Sequence, residues 1–184
     1  MSLDFYVFSS PQHQLTRDQL AAAMSESGFE IDVYEEIRSP KLIEGEVSGY
    51  CTVLAWDKKT ITRAALHKVL STGEREVVDE LFETNVLAYC NINVTSAQEF
   101  LENFDTDYFE RPDDPASQDA IAAARAAQIV YEISTSSGRS EFSYSLQKSM
   151  CKVVAKLTKG IIEDPQEGNL FWPTEANDYF GHPV

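Results

Sequence analysis

The stretch Phe29–Glu36, FEIDVYEE, decides the fold, because its alternating pattern is that of a half-buried β-strand. Phe29, Ile31 and Val33 fall on one face of this strand, and the residues between them fall on the other. Gly28, directly before the stretch, suits the left-handed position that follows a helix. A strand is therefore predicted directly after a helix.

Working outward from this strand, the sequence predicts further elements on both sides within the first 95 residues. In chain order they are a strand at Asp4–Phe8, a helix at Arg17–Ser27 that a Thr16–Gln19 capping box begins, a strand at Val47–Trp56, a helix capped by Thr62 and a strand at Val86–Val94. With FEIDVYEE in third place, the order is βαββαβ. This order is typical of the ferredoxin-like plait, so we predict an α+β fold with such a plait in the N-terminal half.

The second half of the chain repeats part of this order. After an acidic connection with two prolines come an alanine-rich helix, the strand pattern IVYEIST, a helix at Phe142–Thr158, a short strand at Ile161 and Ile162, and a return strand in NLFWP. We predict three segments: the plait at 1–95, a helical and acidic connection at 96–128, and a partial βαβ(β) repeat with an aromatic tail at 129–184. The pattern leaves open whether the two halves form one sheet or two.

Acidic residues outnumber basic residues in this chain of 184 residues. The 30 Asp and Glu against 15 Lys and Arg give a net charge of −15. Such a charge opposes binding to nucleic acid and to anionic lipid. It suits a surface that receives a basic protein partner, although solubility alone also explains it.

The sequence also carries a prediction about compartment. The N-terminal residues MSLDFYVFSS have neither the basic nor the apolar region of a signal peptide, and no apolar run reaches the roughly 20 residues that span a bilayer. We therefore expect a cytoplasmic protein that makes no membrane contact. Cys51, Cys90 and Cys151 have no close spacing to one another and are expected to be reduced and buried.

No catalytic motif emerges from the sequence. His13, His67 and His182 have no metal-binding spacing, and neither a phosphate-binding glycine motif nor a nucleophile elbow is found. We therefore predict no catalytic residue, no metal site and no cofactor. Scattered catalytic groups would leave no such pattern, so an enzyme stays an alternative.

The acidic connections and the aromatic tail form the predicted partner-binding surface, because connections carry binding groups while strands and helices hold the core. Aromatic rings add contact area and cation–π attraction for basic side chains. The predicted binding residues are Asp105, Asp107, Glu110, Asp113, Asp114, Glu163, Asp164, Glu167, Tyr179 and Phe180. Burial of the two tail rings in the core is the competing interpretation, and Trp172 is expected to be buried.

The stretch STSSGRSE, Ser134–Glu141, is a predicted alternative site for a small anion. Its hydroxyls, its guanidinium and the free N–H groups at the start of the next helix can all donate to an anion. The residues of this site are Ser136, Ser137, Gly138, Arg139 and Ser140. A flexible loop that ends in a serine N-cap is the competing interpretation.

The segment Tyr131–Trp172, and LTKGIIEDPQEG within it, resembles a segment of small bacterial α/β proteins, some of them linked to immunity proteins of polymorphic toxin systems. The resemblance covers about a quarter of the chain and transfers no functional residue. It implies a cytoplasmic, non-catalytic inhibitor that binds one toxin, often of opposite charge. The predicted function is an acidic immunity-type protein that occludes a basic, nuclease-type toxin. A small-molecule enzyme or sensor and a structural or oligomeric subunit are the alternatives.

Overall fold

The computed structural model of the protein describes residues 3–10, 14–35, 41–103, 115–136 and 140–180. Its strands are Leu3–Ser9 (β1), Glu30–Tyr34 (β2), Gly49–Trp56 (β3), Leu87–Ser96 (β4), Ile129–Thr135 (β5), Ile161–Asp164 (β6) and Asn169–Phe171 (β7). Its helices are Arg17–Glu26 (α1), Arg63–Thr72 (α2), Arg75–Glu83 (α3), Ala97–Leu101 (α4), Pro115–Arg125 (α5), Glu141–Thr158 (α6) and Ala176–Phe180 (α7).

Helix starts follow the local signals in the sequence. Thr16 and Gln19 form the predicted capping box at the start of α1. The Thr62 side chain accepts a hydrogen bond from the Ala65 backbone N–H and caps α2. Ser140 caps α6 in the same way, because its Oγ accepts from the Ser143 N–H. The predicted order βαββαβ over the first 96 residues is confirmed, with the second helical region divided into α2 and α3.

The described strands form one antiparallel sheet of seven strands in the order β2-β3-β4-β5-β1-β6-β7. The α+β class is therefore confirmed, but the ferredoxin-like arrangement is not. In the predicted plait β1 would pair within the N-terminal half, whereas here β1 lies between β5 and β6. The two predicted halves thus share a single sheet, in which β1 of the first half is inserted between β5 and β6 of the second.

The composition of β1 explains its central position. Phe5 and Val7 are buried on one face of the strand and Phe8 is buried on the other, so β1 needs cover on both faces. An edge position would leave its backbone N–H and C=O groups unpaired as well. Strands β5 and β6 pair with the backbone of β1, α6 covers Phe5 and Val7 on one face, and α4 and α5 cover Phe8 on the other.

Helices cover both faces of the sheet. On the first face α1, α6 and α7 pack against the largest hydrophobic cluster, which includes Leu20, Met24, Cys90, Met150 and Val154. On the second face two separate groups of helices pack. Helices α2 and α3 cover one end over Leu54, Trp56 and Leu87, and α4 and α5 cover the other over Phe8 and Val130. The sheet surface between these two groups is the part of the fold that positions the candidate site.

The three cysteines, Cys51, Cys90 and Cys151, are buried and free, as predicted. Burial raises the pKa of Cys51 to about 12 and also raises the pKa of the other two thiols, so all three stay protonated at neutral pH. Within the described part of the chain, no helix combines the length and the apolar character that crossing a membrane requires.

Candidate functional site

A row of polar and aromatic side chains crosses the second face of the sheet between the two helix groups. Cross-strand pairing aligns Tyr50 of β3 with Asn93 of β4, Asn93 with Glu132 of β5, and Glu132 with Tyr6 of β1. Tyr6 is in turn opposite Glu163 of β6. Because alternate residues of a strand share a face, these five side chains form one continuous line, which we call the polar strip.

Solvent reaches the middle of the polar strip. Tyr50 is 58% exposed, and Asn93, Glu132 and Tyr6 are partly exposed. Asn93 Nδ2 donates to Glu132 Oε2 over 3.2 Å, which holds the carboxylate in place on the sheet. A preformed carboxylate between two tyrosine-bearing strands is suited to accept hydrogen bonds from a cationic donor.

A second row of polar side chains runs beside the polar strip. Thr52, Asn91, Ser134 and Asp4 are aligned across β3, β4, β5 and β1. Thr52 Oγ1 donates to Asn91 Oδ1 over 3.0 Å. This face of the sheet is therefore polar over a width of two residues on β3, β4, β5 and β1, with Thr52 itself buried.

Electrostatics at the polar strip favour positive charge. The pKa of Tyr6 is raised to about 12, first by burial and then by the carboxylates of Glu132, Asp4 and Glu163 in that order. Burial also raises the pKa of Tyr50, and the Glu132 carboxylate contributes to this increase. The phenols thus stay neutral at physiological pH, and the carboxylates around Tyr6 set a negative potential. No group of three or more His, Cys, Asp or Glu side chains among the described residues is placed to hold a metal ion.

The predicted binding turn at Glu163–Glu167 requires a correction. Glu163 and Asp164 belong to strand β6 and are only 1% and 8% exposed, so they are not exposed turn carboxylates. Asp164 Oδ1 accepts from the backbone N–H groups of Gln166 and Glu167 at 3.0 and 3.3 Å. This is the Asx-type bonding that reverses a chain, and it explains the sequence EDPQEG structurally. Glu167 is exposed on the turn, as predicted.

The aromatic tail packs back onto the sheet. Phe180 lies edge-to-face with Phe5 at 5.0 Å between ring centroids, and it packs against the largest hydrophobic cluster. The Tyr179 hydroxyl donates to Asp164 Oδ2 over 2.9 Å, and this phenol is 36% exposed. Phe180 therefore supports the core, which was the competing interpretation for the tail, whereas the ring of Tyr179 contacts Phe171 and stays partly exposed. The expected burial of Trp172 is wrong, because this side chain is 36% exposed.

Several predicted residues lie outside the described residues, and others serve the local fold. The acidic connection, with Asp105, Asp107, Glu110, Asp113 and Asp114, is among the former, as are Ser137, Gly138 and Arg139 of the predicted anion site. Ser136, also of the anion site, has its Oγ hydrogen-bonded to the Tyr89 hydroxyl. Ser140 caps α6, as described above. The two described hydroxyls of the anion site thus have structural partners.

A separate polar cluster lies under α2 at the edge of the sheet. The Asp32 carboxylate, 4% exposed, accepts from Arg63 Nε at 3.0 Å and from Arg63 Nη2 at 2.5 Å. His67 Nε2 lies 2.8 Å from Asp32 Oδ2 and 3.3 Å from the Tyr34 hydroxyl. Burial, followed by the Asp32 charge, raises the pKa of Tyr34. This cluster anchors α2 on β2. Both oxygens of its one carboxylate already have hydrogen-bond partners within the cluster, so we assign it to the fold.

Sequence reasoning missed the polar strip, although a signal for it was present. In VLAYCNINV, Tyr89, Asn91 and Asn93 alternate with buried Ala88, Cys90 and Ile92. Two asparagines on one face of a central strand are unusual, because such faces are normally apolar. The strip itself joins residues from both ends of the chain, which alternation within one strand does not reveal.

The fold and the polar strip define an α+β protein with an open, acidic and aromatic sheet surface. Comparison of the chain with protein-family models, with curated proteins and with solved structures found no match. The function therefore has to be argued from the geometry and the charge of the chain.

Proposed function

We propose that this chain is a non-catalytic binding protein that receives a basic protein partner on the polar strip. The observation that carries the proposal is the row Tyr50, Asn93, Glu132 and Tyr6, which lies exposed or partly exposed between two helix groups in a chain of net charge −15. Tyrosine is enriched at the energetic centres of interfaces because it combines contact area with a hydrogen-bonding group.

The partner class follows from the charge and from the sequence resemblance. Complementary potentials accelerate association and discriminate against wrong partners, so an acidic strip selects Lys-rich or Arg-rich surfaces. We propose an immunity-type role, in which the protein occludes a basic, nuclease-type toxin domain. Nucleases are basic where they bind phosphate backbones, and an acidic inhibitor competes for that surface.

The strip gives this proposal a specific form. An Arg or Lys of the partner would place its cationic group near Glu132, with the ring of Tyr6 or Tyr50 alongside for cation–π contact. Because Glu132 is already held by Asn93, little side-chain entropy is lost when the partner binds. The proposed binding group is thus on the sheet, not on the predicted acidic turn.

Affinity capture from the source organism at moderate salt tests the proposal. Three baits are compared: the wild type, Glu132→Gln in the strip, and Glu83→Gln, which removes an exposed carboxylate at the end of α3. The expected result is a basic protein retained by the wild type and by Glu83→Gln but weakly by Glu132→Gln. The purified protein should then lose nuclease activity when the wild type is added.

Binding kinetics with that purified partner separate the two contributions. Glu132→Gln should slow association at low salt and much less at high salt, since surface charges are screened over about 10 Å at 0.1 M salt. Tyr50→Ala should mainly speed dissociation. Retention that is indifferent to Glu132→Gln, or a retained partner that is itself acidic, would contradict the proposal.

A further inference from the structure

A groove lies on the first face of the sheet, opposite the polar strip. It runs between α1 and α6 and is closed on one side by the segment that contains Pro173, Thr174 and Asn177. Its volume is about 920 Å³. Pockets that take small molecules have volumes of roughly 300–1,000 Å³, so the groove has room for such a ligand.

The lining of the groove is amphipathic. Ala22 and Ala23 of α1 face Val153 and Leu157 of α6 and give an apolar floor. Gln19 and Glu26 of α1, with Lys152 and Lys156 of α6, supply polar groups along the rim. An apolar floor with a few polar groups is the usual composition of a small-molecule site.

Two lysines concentrate positive charge on one wall of the groove. Lys152 and Lys156 are one turn apart on α6, so their ammonium groups can reach the same ligand. Within the described part of the chain Lys156 is exposed and makes no ion pair. Lys152 Nζ donates to Asn177 Oδ1 over 3.4 Å, which places this ammonium group on the wall of the groove. Burial, and then repulsion by Lys148, lowers the pKa of Lys152, and the negative charge of an anion in the groove would favour the protonated form of this lysine.

The charges along the groove are unequal at its two ends. Helix α1 follows β1 and runs in the opposite direction to it, and α6 follows β5 and runs in the opposite direction to that strand. Because β5 is antiparallel to β1, α1 and α6 are antiparallel to each other as well. Gln19 and Lys156 therefore lie toward one end, and Glu26 lies toward the other. Glu26 lies seven positions after Gln19 on α1, which is about 10 Å along the helix axis. A ligand with one negative charge at the lysine end and an apolar body avoids the Glu26 carboxylate.

We propose that this groove binds a monocarboxylate with an unbranched apolar chain, with the carboxylate on Lys152 and Lys156 and the chain over Ala22, Ala23 and Val153. The net charge of −15 gives no long-range attraction for anions, so the contacts in the groove must supply the affinity. An acid that lacks the chain, or an amphiphile with a positive head, should therefore not bind. The site is separate from the polar strip and does not depend on the proposed function.

Isothermal titration calorimetry with sodium octanoate tests this inference, because an extended chain of roughly eight carbons matches the length of about 10 Å between the two ends of the groove. Octanoate should bind, whereas sodium acetate and octylammonium chloride should not. Lys152→Gln and Lys156→Gln should each weaken octanoate binding about tenfold, the loss expected for one charge-assisted hydrogen bond. Lys68→Gln, which removes an exposed lysine on α2 across the sheet, should change nothing.

A blocking variant makes the test independent of charge. Ala22 is exposed on α1, so Ala22→Trp should fill the floor and abolish octanoate binding while circular dichroism shows an unchanged fold. Absence of octanoate binding to the wild type would overturn the inference. Binding that survives Ala22→Trp, or that is equal in Lys156→Gln and the wild type, would overturn it as well. Glu132→Gln should leave octanoate binding intact, which separates this site from the polar strip.

Discussion

Arg63→Gln should destabilise the fold more than Asp32→Asn, although these two residues form one ion pair. The Asp32 side chain is 5% exposed and that of Arg63 is 57% exposed. Removing the guanidinium leaves a buried carboxylate whose nearest remaining ionisable neighbour is His67, at 2.8 Å. Removing the carboxylate charge leaves a guanidinium that water can reach. The energetic cost therefore depends on which charge is left in the protein interior.

The magnitudes follow from this asymmetry. A stranded buried charge typically costs about 3–5 kcal/mol, and since His67 still contacts Asp32 we expect roughly 3 kcal/mol for Arg63→Gln. For Asp32→Asn we expect about 1 kcal/mol, because the amide keeps the shape and one acceptor oxygen, and the 57% exposed guanidinium can donate to water where it loses the other oxygen. The double variant should resemble Asp32→Asn, since it strands no charge.

Urea unfolding followed by circular dichroism measures these differences. Arg75→Gln is the matched control, because Arg75 pairs with Asp79 at 3.6 Å and the two side chains are 91% and 60% exposed. Its effect should stay within about 0.5 kcal/mol. If Asp32→Asn lowers the free energy of unfolding as much as Arg63→Gln does, desolvation of Asp32 is not the dominant cost, and the reasoning is refuted.

Three further variants test other parts of the fold. Gly160→Ala should lower the free energy of unfolding by roughly 1–3 kcal/mol, because the added methyl group would lie 2.6 Å from Val7 Cγ1; an unchanged urea midpoint would show that Val7 moves aside without cost. Tyr179→Phe removes the 2.9 Å hydrogen bond to Asp164 and should cost about 1 kcal/mol in the same assay. No loss would mean that the backbone N–H groups of the turn stabilise the Asp164 carboxylate without the tyrosine. Folding raises the pKa of Tyr6 from 10.0 to about 12. The unfolded chain therefore releases this proton first, and stability should fall as the pH rises through that window. Tyr6→Phe should make the fall shallower, and an equally steep fall would contradict the raised pKa.

Local rules predicted the elements of the fold well. The alternation in FEIDVYEE, the capping box at Thr16 and the caps at Thr62 and Ser140 all gave elements that the structure contains. These signals act between residues a few positions apart, so the sequence displays them directly. Element order and the α+β class were predictable for the same reason.

Strand neighbours were not predictable by the same reasoning. The order βαββαβ suggested that β1 pairs within the N-terminal half, but β1 pairs with β5 and β6. The continuous run DFYVF gave a partial signal, since a strand with apolar residues on both faces has to be central. Which strands flank it depends on contacts across most of the chain, and no local pattern encodes those contacts.

The burial of individual acidic residues was hidden for a related reason. Asp32 resembles an ordinary exposed residue of an alternating strand, yet its partners Arg63 and His67 come from a helix 31 and 35 positions away. The sequence places Asp164 in a predicted exposed turn, yet its oxygens accept hydrogen bonds from backbone N–H groups and from the Tyr179 hydroxyl. Carboxylates are buried where donors converge on them, and those donors are assembled only by the fold.

The polar strip depends on the whole sheet in a way that affects how its function can be tested. Tyr6 and Glu132 are neighbours across β1 and β5, although about two thirds of the chain separates them in sequence. Asn93 and Tyr50 join the row only after β5 has paired with β4. A fragment that ends after β4 lacks both flanking partners of β1, so it cannot form the strip. Loss of binding in such a fragment would report lost folding. Glu132→Gln, in contrast, changes the charge of a partly exposed side chain, keeps an acceptor oxygen for Asn93 and removes no core contact. Point substitutions in the strip, measured beside their unfolding free energies, are therefore the changes that can separate binding from folding.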